Sequence, residues 1–167
     1  MTSVKHLRSL LLSLFVIGLA VPASAQGANV AFGTIRQDTK QPVEVTADNL
    51  SVDQETGTAI FTGNVLIGQG DLRLSAARVL VVYRAENKGI ARLEATGGVT
   101  LVSGPDAAES ERADYNIDTG TIVMTGNVLL AQGPSALSAD KMSVRLSDGT
   151  AQMSGRVRTI LQTGGDN

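Results

Sequence analysis

The chain has 167 residues, with 14 Lys and Arg against 16 Asp and Glu and a formal net charge of −2. That balance leaves no basic stripe to grip a nucleic-acid backbone. There is no cysteine, and His6 is the one histidine, so disulfides, thiol chemistry and imidazole-based metal or acid–base sites lack their residues.

Residues 1–25 read as a secretory leader. Lys5 and Arg8 form a basic start, an apolar run fills 10–21, and Pro22 precedes Ala23-Ser24-Ala25, a small-x-small cleavage signal. The run is too short to span a bilayer, and no cysteine follows to take a lipid anchor. Cleavage after Ala25 implies export. Residues 26–40 are weakly patterned and read as a flexible arm or a leading strand. Residues 41–48 predict a strand with Val43 and Val45 on one face. Pro42 places it at a strand start or a sheet edge, because proline cannot donate to a ladder. Leu50 and Val52 extend the pattern to a turn at 53–57.

The next stretch is repeated. Residues 56–70 (Thr-Gly-Thr-Ala-Ile-Phe-Thr-Gly-Asn-Val-Leu-Ile-Gly-Gln-Gly) return without a gap at 119–133 as Thr-Gly-Thr-Ile-Val-Met-Thr-Gly-Asn-Val-Leu-Leu-Ala-Gln-Gly. Weaker copies place the glycine of a Thr/Ser-Gly-x-Val pattern at Gly97 and Gly155, beside Gly63 and Gly126. Each glycine is preceded by an Ala-Asp-like pair: Ala47-Asp48, Ala76-Ala77, Ala113-Asp114 and Ala139-Asp140. One supersecondary unit of about thirty residues is therefore stacked about four times.

Within the repeat, Ala59, Phe61, Gly63, Val65 and Ile67 alternate with Thr58, Thr62 and Asn64, which predicts a strand with one apolar face. The second copy keeps the phase, with Ile122, Met124, Gly126, Val128 and Leu130 inward. A glycine in the inward row suits a bulge or a bend, and its recurrence predicts strands that bend together.

Between the copies, Leu72 and Leu74 alternate, and 78–83 is a continuous apolar run that predicts a strand covered on both faces. Residues 84–89 read as a loop. Leu93, Ala95, Val99 and Leu101 alternate up to a break at Ser103-Gly104-Pro105-Asp106. Residues 107–112 have mild helical character but too little apolar content for a packed helix, and Tyr115 and Ile117 lead into the second copy. Leu137, Met142, Val144 and Leu146 form a further alternating set, Asp148-Gly149 marks a hairpin, and a last strand over 156–161 brings in Val157 and Leu161. Residues 163–167 read as a disordered tail. The fold class is all-β, with about a dozen or more short strands in one domain over 41–162.

The chemistry inventory argues against an enzyme. Serine and threonine are plentiful but have no partner base. Asp53, Glu55 and Asp118 flank the repeated turns and read as turn residues, since the glycine-aspartate nonapeptide of a calcium solenoid is missing. No metal or cofactor is expected. A structural or adhesive β-solenoid acting through its surface stands as the alternative to a binding protein.

Gln-Pro-Val-Glu-Val-Thr-Ala-Asp at 41–48, Phe-Thr-Gly-Asn-Val at 61–65, Ala-Asp-Tyr at 113–115 and Met-Thr-Gly-Asn-Val at 124–128, behind a leader, resemble the OstA-like family over roughly 41–161. The resemblance implies a twisted, open β-jellyroll of stacked antiparallel strands in the periplasm. Its apolar interior would hold the lipid A acyl chains of lipopolysaccharide (LPS) on the way from the inner to the outer membrane. It implies an LptC-like inner-membrane partner, an LptD-like outer-membrane partner and head-to-tail self-association. Val43, Val45, Tyr115 and Ile117 carry over as acyl-chain contacts. The inward phase of the matching strands adds Phe61, Val65, Ile67, Leu93, Val99, Leu101, Met124, Val128 and Leu130.

Overall fold

The computed structural model describes residues 28–32, 40–86 and 88–160. The leader at 1–25, Leu161 and the tail at 163–167 lie outside the described residues. Every regular element described is a strand: β1 (Ala28–Ala31), β2 (Glu44–Thr46), β3 (Asn49–Asp53), β4 (Thr58–Gln69), β5 (Leu72–Tyr83), β6 (Ile90–Ser103), β7 (Asp106–Asn116), β8 (Thr121–Gln132), β9 (Ser135–Arg145), β10 (Thr150–Ser154) and β11 (Arg158–Ile160). They form one open antiparallel sheet, ordered β1-β10-β9-β8-β7-β6-β5-β4-β2, with β3 also on β4 and β11 also on β9. The all-β, antiparallel, open architecture expected from the sequence is the one observed.

The middle of the sheet is an up-and-down meander in which each long strand pairs with its sequence neighbours. Those strands run 11 to 14 residues, longer than the short strands predicted. Their length comes from the repeated glycines, which bend a strand without ending it. Gly63-Asn64 on β4 together oppose only Ala77 on β5, and Gly126-Asn127 on β8 together oppose only Asp140 on β9. Gly97-Gly98 on β6 do the same against Glu111 on β7. At the sheet edge, Gly155-Arg156 fill the gap between β10 and β11. Asn64 and Asn127 both have φ of 47°, a left-handed value that asparagine tolerates better than most residues. The bulges align across the sheet and divide it into two halves, an upper one ending at Thr58, Asn116 and Arg145 and a lower one ending at Gln69, Asp106 and Gln132.

One hydrogen bond shows how far the sheet folds along that line. Tyr115 lies in the upper half of β7, and Gln69 is the lower tip of β4, three strands away. In a flat sheet the two would be about 30 Å apart, from roughly 3.3 Å per residue along a strand and 4.8 Å between strands. Instead the Tyr115 hydroxyl donates to Gln69 Oε1 at 2.5 Å. The halves therefore face one another as two layers, offset by three strands. The same offset returns where Gln132, the lower tip of β8, donates to the Ala31 carbonyl on β1 at 2.6 Å. The core lies between these layers as one cluster of buried apolar side chains.

Four expectations are corrected. Residues 107–112 belong to β7, because pairing with β6 and β8 outweighs the helix preference of Ala and Glu. The run at 78–83 is covered on one face: Val79 and Val81 are 0 % exposed while Leu80 and Val82 are half-buried. Gly63 and Gly126 do not look into the core. A Cβ on Gly63 would meet Asp48 Oδ2 at 2.5 Å, and one on Gly126 would meet Glu111 Oε2 at 2.6 Å, both on exposed side chains. Finally, the last strand starts later than predicted, since 155–157 lies between β10 and β11, which begins at Arg158. Opposite the glycine of β8 lie Ser110 and Glu111, while Asp114 accepts from Arg92 Nε at 2.8 Å.

Candidate functional site

The inward side chains form rungs that cross the whole sheet. In the lower half, Val45, Ile67, Leu74, Leu101, Ala108, Leu130 and Leu137 are successive cross-strand partners. In the upper half, one rung runs Leu50, Phe61, Val79, Ala95, Ala113, Met124, Met142 and Met153. The next runs Val52, Ala59, Val81, Leu93, Tyr115, Ile122, Val144 and Ala151. Alternation puts every second residue on this face, and neighbouring-strand registers bring those residues opposite one another.

The structure brings all thirteen sequence-predicted residues to this interior. Val65, Ile67, Leu93, Val99, Leu101, Tyr115, Met124, Val128 and Leu130 are fully buried in the core cluster. Val43, Val45, Phe61 and Ile117 are partly buried and pack against it. Sizes mix along the rungs: Ala108 lies between Leu101 and Leu130, and Ala113 between Ala95 and Met124. The lining is slender and flexible side chains with few rings, which suits a flexible apolar guest better than a flat rigid one.

One end of the interior is polar. The last lower rung is Gln69, Leu72, Ser103, Asp106 and Gln132. Of these, Gln69, Ser103 and Asp106 are buried polar residues, and each is hydrogen-bonded, as burial demands. Gln69 Nε2 donates to the Gln41 carbonyl at 2.9 Å, while its Oε1 accepts from Tyr115. Burial pushes the Tyr115 phenol up to about 12, and the Gln69 acceptor partly counters that rise. At neutral pH the phenol therefore stays protonated and donating. Gln132 Nε2 also donates to Asp106 Oδ2 at 2.9 Å.

This polar rung, and Phe32 in the core, escaped the sequence reading. A signal for the first was present: Gln69 and Gln132 occupy the same place in the two copies of the repeat. Nothing in the residues around Phe32 distinguishes it from an arm. It is fixed by a bond from its own N–H to the Gly149 carbonyl at 2.8 Å.

The outward face carries ion pairs. Arg92 bonds to Glu94 and Asp114, and Arg112 bonds to Glu94. Arg84 pairs with Asp118, and Arg156 with Asp140, which holds that carboxyl below its usual range. Asp53 caps its turn by accepting from the Glu55 and Thr56 amides. These are solvated stabilising contacts. Among the described residues no group of three or more His, Cys, Asp and Glu side chains converges as a metal site would need.

The family model described as LptA/(LptD N-terminal domain) LPS transport protein matches residues 44–157. An uncharacterized protein of Rhizobium meliloti is 32 % identical over 113 residues, covering 64 % of this chain and 61 % of that one. The lipopolysaccharide export system protein LptA of Escherichia coli is 29 % identical over 73 residues, covering 44 % of this chain and 40 % of that one. The matches thus span less than two thirds of these relatives. Among solved structures, LptH of Pseudomonas aeruginosa, described as the LptA homologous periplasmic component of the lipopolysaccharide transport device, superposes with a TM-score of 0.67. It covers 75 % of this chain and 99 % of its own at 17 % identity, a likeness of fold.

Proposed function

This chain belongs to the LptA/(LptD N-terminal domain) family of LPS transport proteins, and from that premise we propose that it is a periplasmic bridge protein. It holds the lipid A acyl chains of LPS between its two layers and carries LPS from the inner to the outer membrane. The family is described by transport and not by a reaction. The observation that supports the acyl-chain reading is the set of apolar rungs running unbroken from one sheet edge to the other. A guest along these rungs needs no charged contact. Ten methylenes moved out of water are worth roughly 8 kcal/mol, less the work of parting the layers, whose side chains now bury one another.

The sheet edges support assembly. Leu50 and Val52 belong to inward rungs yet are 56 % and 59 % exposed, because β3 has no neighbour beyond it among the described residues. At that edge the interior surface is uncovered, and a strand from another chain would both pair with β3 and continue the rungs. We assign this pairing to head-to-tail copies and to LptC-like and LptD-like partners. The functional domain spans 41–162, with the leader removed after Ala25.

Native mass spectrometry of protein purified from its own periplasm tests the reading. Protein carrying the mass of an acylated LPS species is the expected result. Protein that is consistently free of lipid, in a preparation where a known LPS carrier retains it, overturns the acyl-chain role.

A further inference from the structure

On β4 the inward residues of the lower half start at Val65 beside the bulge line, pass Ile67 and end at Gln69, the last residue of the strand. Gln69 therefore lies on the margin of its layer farthest from the bend. Across the interior it meets Tyr115 of the other layer, whose hydroxyl donates to Gln69 Oε1 at 2.5 Å. Both side chains are buried. Burial keeps the phenol protonated at neutral pH, so it needs an acceptor. The Gln69 bond to the Gln41 carbonyl uses Nε2 and does not compete for that place. A guest between the layers has two parts to satisfy. Its apolar carbons fit the rungs near the bend, and its polar head points past the margin toward water. The carbons nearest the head are then the ones that reach the contact between Tyr115 and Gln69.

We propose that Tyr115 and Gln69 select acyl chains that carry a hydroxyl group close to the head: the chain's hydroxyl takes the place of their direct contact, accepting from the phenol and donating to the glutamine carbonyl. The proposal rests on the acyl-chain reading above and names the chains that reading favours. An unsubstituted chain that comes between the two residues separates the buried phenol from its acceptor. A buried donor left that way costs more than the bond contributed. A hydroxyl is donor and acceptor at once, so it serves both residues, whereas an ether or carbonyl oxygen serves only the phenol. This preference runs against hydrophobicity, since a hydroxyl weakens binding to a wholly apolar pocket. A site arranged to bond a hydroxyl discriminates against the analogue that lacks one.

The test measures the affinities of tetradecanoic acid and 3-hydroxytetradecanoic acid for the full protein and for its Tyr115→Phe variant, by displacement of a fluorescent hexadecanoic acid. The wild-type protein is expected to bind the hydroxylated acid about tenfold more tightly. Tyr115→Phe has no donor to strand. It is expected to bind the unsubstituted acid severalfold more tightly than wild type does, and to lose the preference. Should Tyr115→Phe fail to fold, Tyr115→Met removes the same hydroxyl, and the same loss of preference is expected. Equal affinities for the two acids in wild type overturn the selection. So does a preference that survives in the variant, or a variant that binds both acids more weakly by the same factor, as a merely structural role for Tyr115 would give. Failure of the two acids and of the fluorescent probe to bind any form overturns the acyl-chain reading itself.

Discussion

Gly126 has a φ of 84°, and a Cβ built there would lie 2.6 Å from Glu111 Oε2 and 2.8 Å from Glu111 Cβ. Two separate costs oppose any side chain at this position: a left-handed backbone and a collision with a strand neighbour. Gly98 isolates the first cost, since its φ is 81° but nothing lies within 4 Å of its Cβ. Gly126→Ala is therefore expected to lose about 2–3 kcal/mol in chemical denaturation, and Gly98→Ala about 1 kcal/mol. Equal losses at the two sites would show that the close approach to Glu111 is unimportant. The sequence made these glycines visible through their spacing and tied them to bulges. Their direction was hidden, because counting every second residue onto one face assumes extended backbone throughout. Composition also does not show which residues face a glycine: Ala113-Asp114 fits the Ala-Asp pattern, but the register puts Ser110-Glu111 opposite Gly126, where Glu111 accepts from Asn127 Nδ2 at 2.6 Å.

Among the elements, the meander from β4 to β9 was legible because alternation and turn residues agree along it. The termini were less so. β11 is three residues paired with Leu137 and its neighbours on β9, and Ile160 on it is 69 % exposed. A β-rich edge without a lysine is an invitation to pair. Ile160→Lys is expected to leave the melting temperature unchanged and to raise the concentration needed for self-association roughly tenfold, about 1.4 kcal/mol of interface. Light scattering across a concentration series reads this. A variant that associates like wild type would remove β11 from the contact between copies. The helical character of 107–112 illustrates the converse problem. Ala, Glu and Arg favour a helix when taken alone, and only the partners at Thr100, Leu101 and Leu130 make the segment a strand.

At the scale of the molecule, the interior faces of the strands were readable from period two, and the thirteen chosen residues all reach the core. The folding of the sheet onto itself was not. No single strand encodes which strand, three places away, will face it, so the bonds from Tyr115 to Gln69 and from Gln132 to Ala31 appear only in three dimensions. The polar rung that ends the interior is hidden for the same reason, since its members come from five different strands. What those rungs hold is the central claim. Photo-crosslinking residues at Phe61 and Met124 on the inward rows, compared with Thr62 and Thr125 beside them on the outward rows, test it with LPS present. Adducts with LPS at 61 and 124, and next to none at 62 and 125, are predicted. Adducts of equal yield at the outward sites would contradict an interior that carries acyl chains.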